Sequence, residues 1–273
     1  MVANLLGTAP RHDRIMVMAG LAVLIAAAWA YLLRGAGIEM DKMDMGGGQV
    51  MLMAPAIRAS TPVFDGLWTA GYTALVLLMW VVMMAAMMLP AATPAILQVV
   101  GAAGGRGSKA DRVAAALFFT AGYLLVWIAF SVAATLLQWA LDSADLLSDT
   151  MASRSAVAAG LLLVAVGLYQ VSPLKHSCLQ RCRSCAGRPP PDMPARAGAM
   201  LGQGLRYGVS CLGCCGVLMG LLLVGGVMNV LWIAAIAIGV LAERVMPWGG
   251  GFARLAGAGL IGWGGVALAI TLF

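Results

Sequence analysis

Charged residues and histidines are scarce in this chain of 273 residues. Only 10% of its residues are charged, whereas a soluble domain carries about 25%. This excludes an ordinary soluble domain, and it makes the net charge of +6 a topology signal rather than a sign of nucleic-acid binding. The two histidines, His12 and His176, lie outside the predicted membrane helices. The helices therefore lack the imidazoles that a di-iron site, a copper oxygenase or a haem bundle requires.

Several motifs of catalytic chemistry are missing as well. The chain contains no CxxCH, no phosphate-binding GxxxxGK[ST] loop, and no GxGxxG in a strand–helix context. Nothing in it is suited to ATP hydrolysis, so we expect a binding protein rather than an enzyme. Cysteine occurs only between residues 178 and 215, and this confines the most reactive side chains to one part of the chain.

Long apolar stretches dominate what is present, since 62% of the residues are hydrophobic. Each stretch is close to the roughly 20 residues that cross a bilayer, and together they predict an all-α, polytopic transmembrane helix bundle of about seven spans. The predicted helices cover approximately 15–33, 67–89, 113–141, 156–172, 205–224, 227–245 and 252–273. We expect Pro90 and Pro94 to end the second helix.

Two regions are distinguished on this pattern. Residues 1–66 predict an N-terminal transmembrane helix and a methionine-rich extracytoplasmic loop without a packed element, and residues 67–273 predict a six-helix metal-binding membrane domain. Lys and Arg are concentrated around 11–14, in 106–112 and 175–206, and near 244–254. This bias predicts an N-in, C-out topology in a bacterial inner membrane, with all cysteines on the reducing cytoplasmic side.

A cysteine group lies in the segment GVSCLGCCGVLMG. Cys211, Cys214 and Cys215 have the spacing i, i+3, i+4, which places three thiols on one face of a helix. Met219 lies one turn further along the same face. Soft sulfur ligands of this kind favour Cu(I), with zinc as the alternative if further ligands join.

The remaining cysteines precede this group in a long basic loop predicted over 175–206. Cys178, Cys182 and Cys185 lie there, and Cys182 and Cys185 have the spacing of a metal-ligand pair. His176 is close enough in sequence to join them, and basic neighbours such as Lys175 would favour the thiolate form. We favour metal binding for these cysteines over a structural role or redox exchange.

Methionine is the other abundant sulfur residue, at 19 in the chain. The second predicted helix carries rows of methionine at helical spacing, and the N-terminal loop alternates methionine with acids. Thioethers bind Cu(I) weakly, which suits a relay, although methionine is also an ordinary filler of hydrophobic cores. The candidate ligands are Met79, Met83, Met84, Met87 and Met88 in the helix, and Met40, Met43 and Met45 in the loop.

Glu243 is an ionisable residue near a predicted membrane helix, which makes it a candidate functional group. The adjacent Arg244 favours the simpler interpretation of an interfacial ion pair between the two.

Four blocks of the chain, MWVVMMAAMMLPAATP, LYQVSPLKHSCLQRCR, GVSCLGCCGVLMG and GVMNVLW…ERVMPWG, resemble a bacterial family of predicted metal-binding integral membrane proteins of unknown function. The resemblance extends from the second to the sixth predicted helix. It implies a multi-span bundle with a metal role for the cysteines and the methionines of the second helix. By position it carries over to Cys178, Cys182, Cys211, Cys214, Cys215 and Met219, and to Met83, Met84, Met87 and Met88.

The resulting hypothesis is a membrane protein that captures, relays or stores copper(I) through methionine and cysteine ligands. The alternatives are a subunit of a membrane redox or oxidase complex with a structural cysteine–metal site, and a membrane scaffold with structural cysteines. Besides the lipid bilayer, the expected partners are a soluble metallochaperone or a membrane redox subunit. The glycine-rich helix 252–273 is expected to pack closely within the chain or in an oligomer.

Overall fold

A computed structural model gives the fold, and it is helical apart from one short hairpin in the residues that it describes. The described residues are 11–34, 41–44, 50–53, 68–102, 108–144, 146, 155–184, 197–227 and 229–272. The helices are α1 (Arg11–Leu33), α2 (Ala70–Ala102), α3 (Lys109–Ser143), α4 (Ala156–Val171), α5 (Pro173–Ser184), α6 (Ala197–Met219), α7 (Leu222–Gly225), α8 (Val230–Val245) and α9 (Gly249–Leu272).

The methionine-rich loop contains two short strands, where the sequence indicated no packed element. Strand β1 (Asp41–Asp44) pairs antiparallel with β2 (Val50–Met53), and the register places Met43 opposite Met51. The alternation of methionine with polar residues in β1 fits the two-residue period of a strand.

The predicted end of the second helix at Pro90 is wrong, because α2 continues through Pro90 and Pro94 to Ala102. A buried membrane helix tolerates proline when other groups bond to the backbone nearby. Here the hydroxyl of Thr93 donates to the carbonyl of Leu89 at 2.9 Å. The hydroxyl of Tyr123 donates to the carbonyl of Met88 at 3.1 Å.

The basic segment predicted as a loop also contains a helix, α5. Pro173 is its first residue, where a missing N–H costs nothing, and the hydroxyl of Ser172 accepts from the amide of Lys175 at 3.2 Å. Helix α5 bends away from α4 by 57° at this junction. Helix α6 then begins at Ala197, earlier than predicted, so the α6 cysteines lie well inside a helix.

Glycines allow the closest helix contacts. Helix α3 packs on α6 where Gly122 and Gly204 meet backbone, and a Cβ atom at Gly204 would overlap the carbonyl oxygen of Phe119. Helix α4 packs on α9 in the same way, since a Cβ at Gly264 would lie 2.8 Å from the carbonyl oxygen of Gly160. The predicted small-residue face of the last helix is therefore used within the chain, and its use in an oligomer stays a prediction.

Five described helices are long and apolar enough to cross a membrane, or six if the bent pair α4–α5 counts as one span. Helix α8 has 16 residues, or about 24 Å at 1.5 Å per residue, which is shorter than a bilayer core. If the bent pair is one span, a crossing α8 would bring the total to the predicted seven. The seven-span, N-in, C-out topology stays a prediction.

Candidate metal centre

The predicted face of α6 places three cysteines in the interior of the bundle. Cys211, Cys214 and Cys215 are fully buried, each with 0% of its surface exposed. The Sγ atoms of Cys214 and Cys215 are 3.3 Å apart, and Cys214 Sγ lies 3.2 Å from the carbonyl oxygen of Cys211. The spacing i, i+3, i+4 therefore collects the thiols as expected.

Cys182 reaches the same place from α5. Its Sγ lies 3.5 Å from Cys214 Sγ, and the side chain is 1% exposed. We call these four residues, Cys182, Cys211, Cys214 and Cys215, the sulfur cluster. The contact with Cys214 and burial raise the pKa of the Cys182 thiol.

The sulfur cluster is close-packed. Within the described part of the chain, no group of three or more His, Cys, Asp or Glu side chains has the arrangement of a preformed metal site. Metal–sulfur bonds of about 2.3 Å give a tetrahedral site sulfur–sulfur distances of roughly 3.8 Å. Binding would thus require these sulfurs to separate by about 0.4 Å. The donor set itself, four thiols, is suited to a soft ion.

Arg244 of α8 brings a positive charge to the sulfur cluster. One terminal nitrogen, Nη2, lies 3.3 Å from Cys214 Sγ and 3.5 Å from Cys182 Sγ. The other, Nη1, donates to the hydroxyl of Tyr207 at 2.9 Å, and the guanidinium lies over that ring. A guanidinium at this distance stabilises thiolate over thiol, and a thiolate is the form that binds metal.

A network of buried polar side chains also connects α5, α6 and α8. Lys175 forms an ion pair with Glu243 at 2.7 Å, and both side chains are 1% exposed. Lys175 Nζ also donates to the carbonyl of Cys214 at 2.5 Å, and the amide of Gln170 donates to Glu243 at 2.5 Å. The expected pairing of Glu243 with Arg244 is therefore wrong, because successive helix residues point in different directions. Lys175 likewise lies against the Cys214 backbone rather than beside a described thiol.

Tyr123 of α3 connects the sulfur cluster to α2. Its hydroxyl lies 3.3 Å from Cys211 Sγ and donates to the carbonyl of Met88. Two hydrogen-bond lengths thus separate Cys211 from the backbone of the methionine-rich helix. The predicted methionines of α2 are all buried, with at most 1% exposure: Met79, Met83, Met84, Met87 and Met88.

Met219 lies near α2 on the other side of this arrangement. It is 1% exposed and lines a cavity of about 240 Å³ together with Trp80 of α2 and Phe130 of α3. Apart from Met219, the described residues that line this cavity supply no thiol, imidazole, thioether or carboxylate. The indole nitrogen of Trp80, at the edge of this cavity, donates a hydrogen bond to the side-chain oxygen of Gln138 at 2.7 Å.

Several predicted ligands lie elsewhere. His176 is two residues from Cys178 and thus on the opposite side of α5, where its Nε2 contacts Gln180 at 2.9 Å. It lines a pocket of about 290 Å³ with Trp248 and Arg254. Cys185, Met40 and Met45 lie outside the described residues, and Met43 is described only by its place in β1.

Sequence reasoning missed the polar residues that surround the sulfur cluster: Tyr123, Gln170, Tyr207 and Arg244. Tyr123, Gln170 and Arg244 each contact a thiol or carboxylate of another helix, and Tyr207 of α6 accepts from Arg244 of α8, so no local spacing connects these pairs. The available signal was the rarity of such groups in apolar helices, where a polar residue is a functional candidate.

The fold and the site define a class: a helical protein with several helices long and apolar enough to cross a membrane, and with a buried cluster of thiols beside an arginine. The chain belongs to the PpoB2 copper chaperone family, whose family model matches residues 77–267, about seven tenths of its length. The match includes α3 to α8 and the entire sulfur cluster, and it confirms the predicted copper handling in general form. Comparisons with curated proteins and with solved structures give no match.

Proposed function

We propose that this chain is an integral membrane copper chaperone that holds copper(I) in the sulfur cluster formed by Cys182, Cys211, Cys214 and Cys215. The observation that carries the proposal is the contact of Cys214 with thiols from two helices, together with Arg244 at 3.3 Å. Four soft ligands in a dry interior favour a soft, weakly hydrated ion over harder divalent ions.

The surrounding charges support binding of a cation–thiolate complex. Thiolates buried in a bundle need compensating charge, since an isolated buried anion is costly. Arg244 supplies that charge directly, while Lys175 bonds to the Cys214 carbonyl and is itself neutralised by Glu243. Two thiolates, copper(I) and the Arg244 guanidinium together carry no net charge, so the exchange of two protons for one copper(I) ion needs no further compensating charge in the interior.

The methionines provide a route of weaker ligands toward the cluster. In this proposal the extracytoplasmic methionines, including Met40, Met43 and Met45, collect copper(I) outside a bacterial inner membrane. The buried thioethers of α2 then pass the ion toward Cys211, across the short separation at Tyr123. Affinity rises from thioether to thiolate, and this gives the transfer a direction without ATP.

The direct test is the copper content of detergent-purified protein, loaded with copper(I) under reducing, oxygen-free conditions and measured by elemental mass spectrometry. Cys214→Ser removes the sulfur that contacts both neighbours, and we expect copper affinity to fall at least tenfold, about the loss caused by removing even an outer partner of a metal site. Ser210→Ala, on the same helix, is the matched control because its hydroxyl bonds only to the Arg206 carbonyl among the described contacts.

Retention of copper by Cys214→Ser at the wild-type level would contradict the assignment of the cluster. Retention of zinc with exclusion of copper(I) in the wild type would contradict the choice of metal and favour a structural site.

A further inference from the structure

Cys178 differs from the four residues of the sulfur cluster in its exposure. Cys211, Cys214 and Cys215 are 0% exposed and Cys182 is 1% exposed, whereas Cys178 is half-buried. All five carry free thiols. Among the described cysteines, Cys178 is thus the thiol that a reactant outside the helix bundle can reach without moving a helix.

The position of Cys178 brings it to the edge of the cluster. It lies one turn before Cys182 on the same face of α5. Its Sγ packs over Gly213 of α6, where an added Cβ would lie only 3.7 Å from it. Gly213 immediately precedes Cys214, and its carbonyl accepts a hydrogen bond from the hydroxyl of Tyr169. Among the described residues, this sulfur lies within 4 Å of an added Cβ at residue 213, so Cys178 packs directly on the α6 backbone beside Cys214.

The polar helix α5 separates the cluster from water on this side. Its inner face carries the buried residues Lys175, Leu179 and Cys182, and its outer face carries the exposed residues Ser177 and Gln180. A metal ion held by the buried thiols is out of reach of a soluble protein. Delivery therefore needs an intermediate ligand at the boundary, and a half-buried thiol one helical turn from Cys182 meets that need.

We propose that Cys178 is the transfer ligand through which copper(I) passes between the sulfur cluster and a soluble copper(I) carrier that presents a cysteine thiolate. The proposal rests on the proposed function of the cluster. Copper stays in the +1 state throughout. Cys178 gives its proton to water and bonds to copper as the bonds from copper to the cluster thiolates break one after another, and each thiolate that releases copper takes up a proton from water. The carrier thiolate then bonds to copper as the bond to Cys178 breaks, and Cys178 regains a proton from water.

The experiment measures the extraction of copper(I) by bathocuproine disulfonate, a charged chelator that stands in for the carrier. The full chain in detergent is loaded with copper(I), and the rate of chelator complex formation is followed by absorbance. Cys178→Ser should bind as much copper as the wild type but release it at least about tenfold more slowly, because without the intermediate ligand the barrier to release rises, and about 1.4 kcal/mol of barrier corresponds to a factor of ten. Ser177→Ala, on the exposed face of α5, should behave as the wild type does.

Two results would overturn the proposal while leaving the proposed function intact. One is release from Cys178→Ser at the wild-type rate. The other is loss of bound copper from Cys178→Ser to the extent seen with Cys214→Ser, which would make Cys178 a ligand of the cluster itself. Failure of the wild type to bind copper would instead overturn the proposed function, and this inference with it.

A second measurement does not depend on any variant. A membrane-impermeant, charged maleimide should label Cys178 of the wild type before Cys182, Cys211, Cys214 or Cys215, as read by peptide mass mapping. Labelling of any of those four first would contradict the proposed order of access.

Discussion

The two halves of α6 each bury one face, but the buried faces consist of different residues. The first half packs by the absence of side chains, because Gly204 and Gly208 let α3 approach the helix backbone. The second half packs through its cysteine side chains, and polar groups from α5 and α8 contact it. Close packing of the first half against α3 fixes the position of α6. This in turn fixes the positions of the thiols in the second half.

Because of this difference, the two halves of α6 should respond to different kinds of substitution. Close glycine packing is sensitive to volume and indifferent to charge, since only van der Waals contact and backbone are involved. The sulfur half is sensitive to charge, because Lys175, Glu243 and Arg244 are all buried beside it. Substitutions of each kind should therefore damage one half in a way that the other does not reproduce.

The largest effect should come from the charged surroundings of the second half. Lys175→Met keeps the length of the side chain but leaves Glu243 as a buried charge without its ion-pair partner, so the free energy of unfolding should fall by about 3–5 kcal/mol. Unfolding in detergent, followed by circular dichroism, measures this. The double variant Lys175→Met/Glu243→Gln should recover most of the loss, and no recovery would contradict the electrostatic explanation.

A smaller effect is expected in the first half, from volume alone. Gly204→Ala adds one methyl group against the backbone of Phe119, and the free energy of unfolding should fall by about 2–3 kcal/mol. Gly202→Ala is the matched control on the same helix, because nothing lies within 4 Å of its added Cβ. The control should gain up to about 1 kcal/mol from the helix preference of alanine. Equal effects of the two substitutions would show that α3 and α6 do not touch there.

The smallest effect on stability should come from the methionines of α2. Met83→Leu conserves volume in the core and should change the free energy of unfolding by less than about 1.5 kcal/mol. If the α2 thioethers relay copper, the double variant Met83→Leu/Met87→Leu should load the sulfur cluster more slowly while its final copper content is unchanged. Met18→Leu on the exposed face of α1 is the control, and equal loading rates would reduce these methionines to core packing.

Local patterns in the sequence were sufficient for much of the site. The spacing of Cys211, Cys214 and Cys215 required only helical periodicity to place three thiols together, and the structure confirms that arrangement. The signals for α5 were also local, namely serine before proline at its start, but the polar composition of the segment favoured a loop. Pro90 and Pro94 led to a wrong prediction of where α2 ends. Whether a proline ends a helix depends on the packing and hydrogen bonds that neighbouring helices supply, which the sequence of α2 alone does not show.

The sequence by itself determined that this chain is a helical, apolar protein with thiols aligned on one helix face, because periodicity and composition act within a single segment. Tertiary structure decided that Cys182 joins that face while His176 turns away from it. It also decided that Arg244 rather than Lys175 contacts the sulfurs, and that Glu243 pairs across helices. These contacts join residues far apart in sequence, so they depend on how the helices cross, which no local pattern specifies.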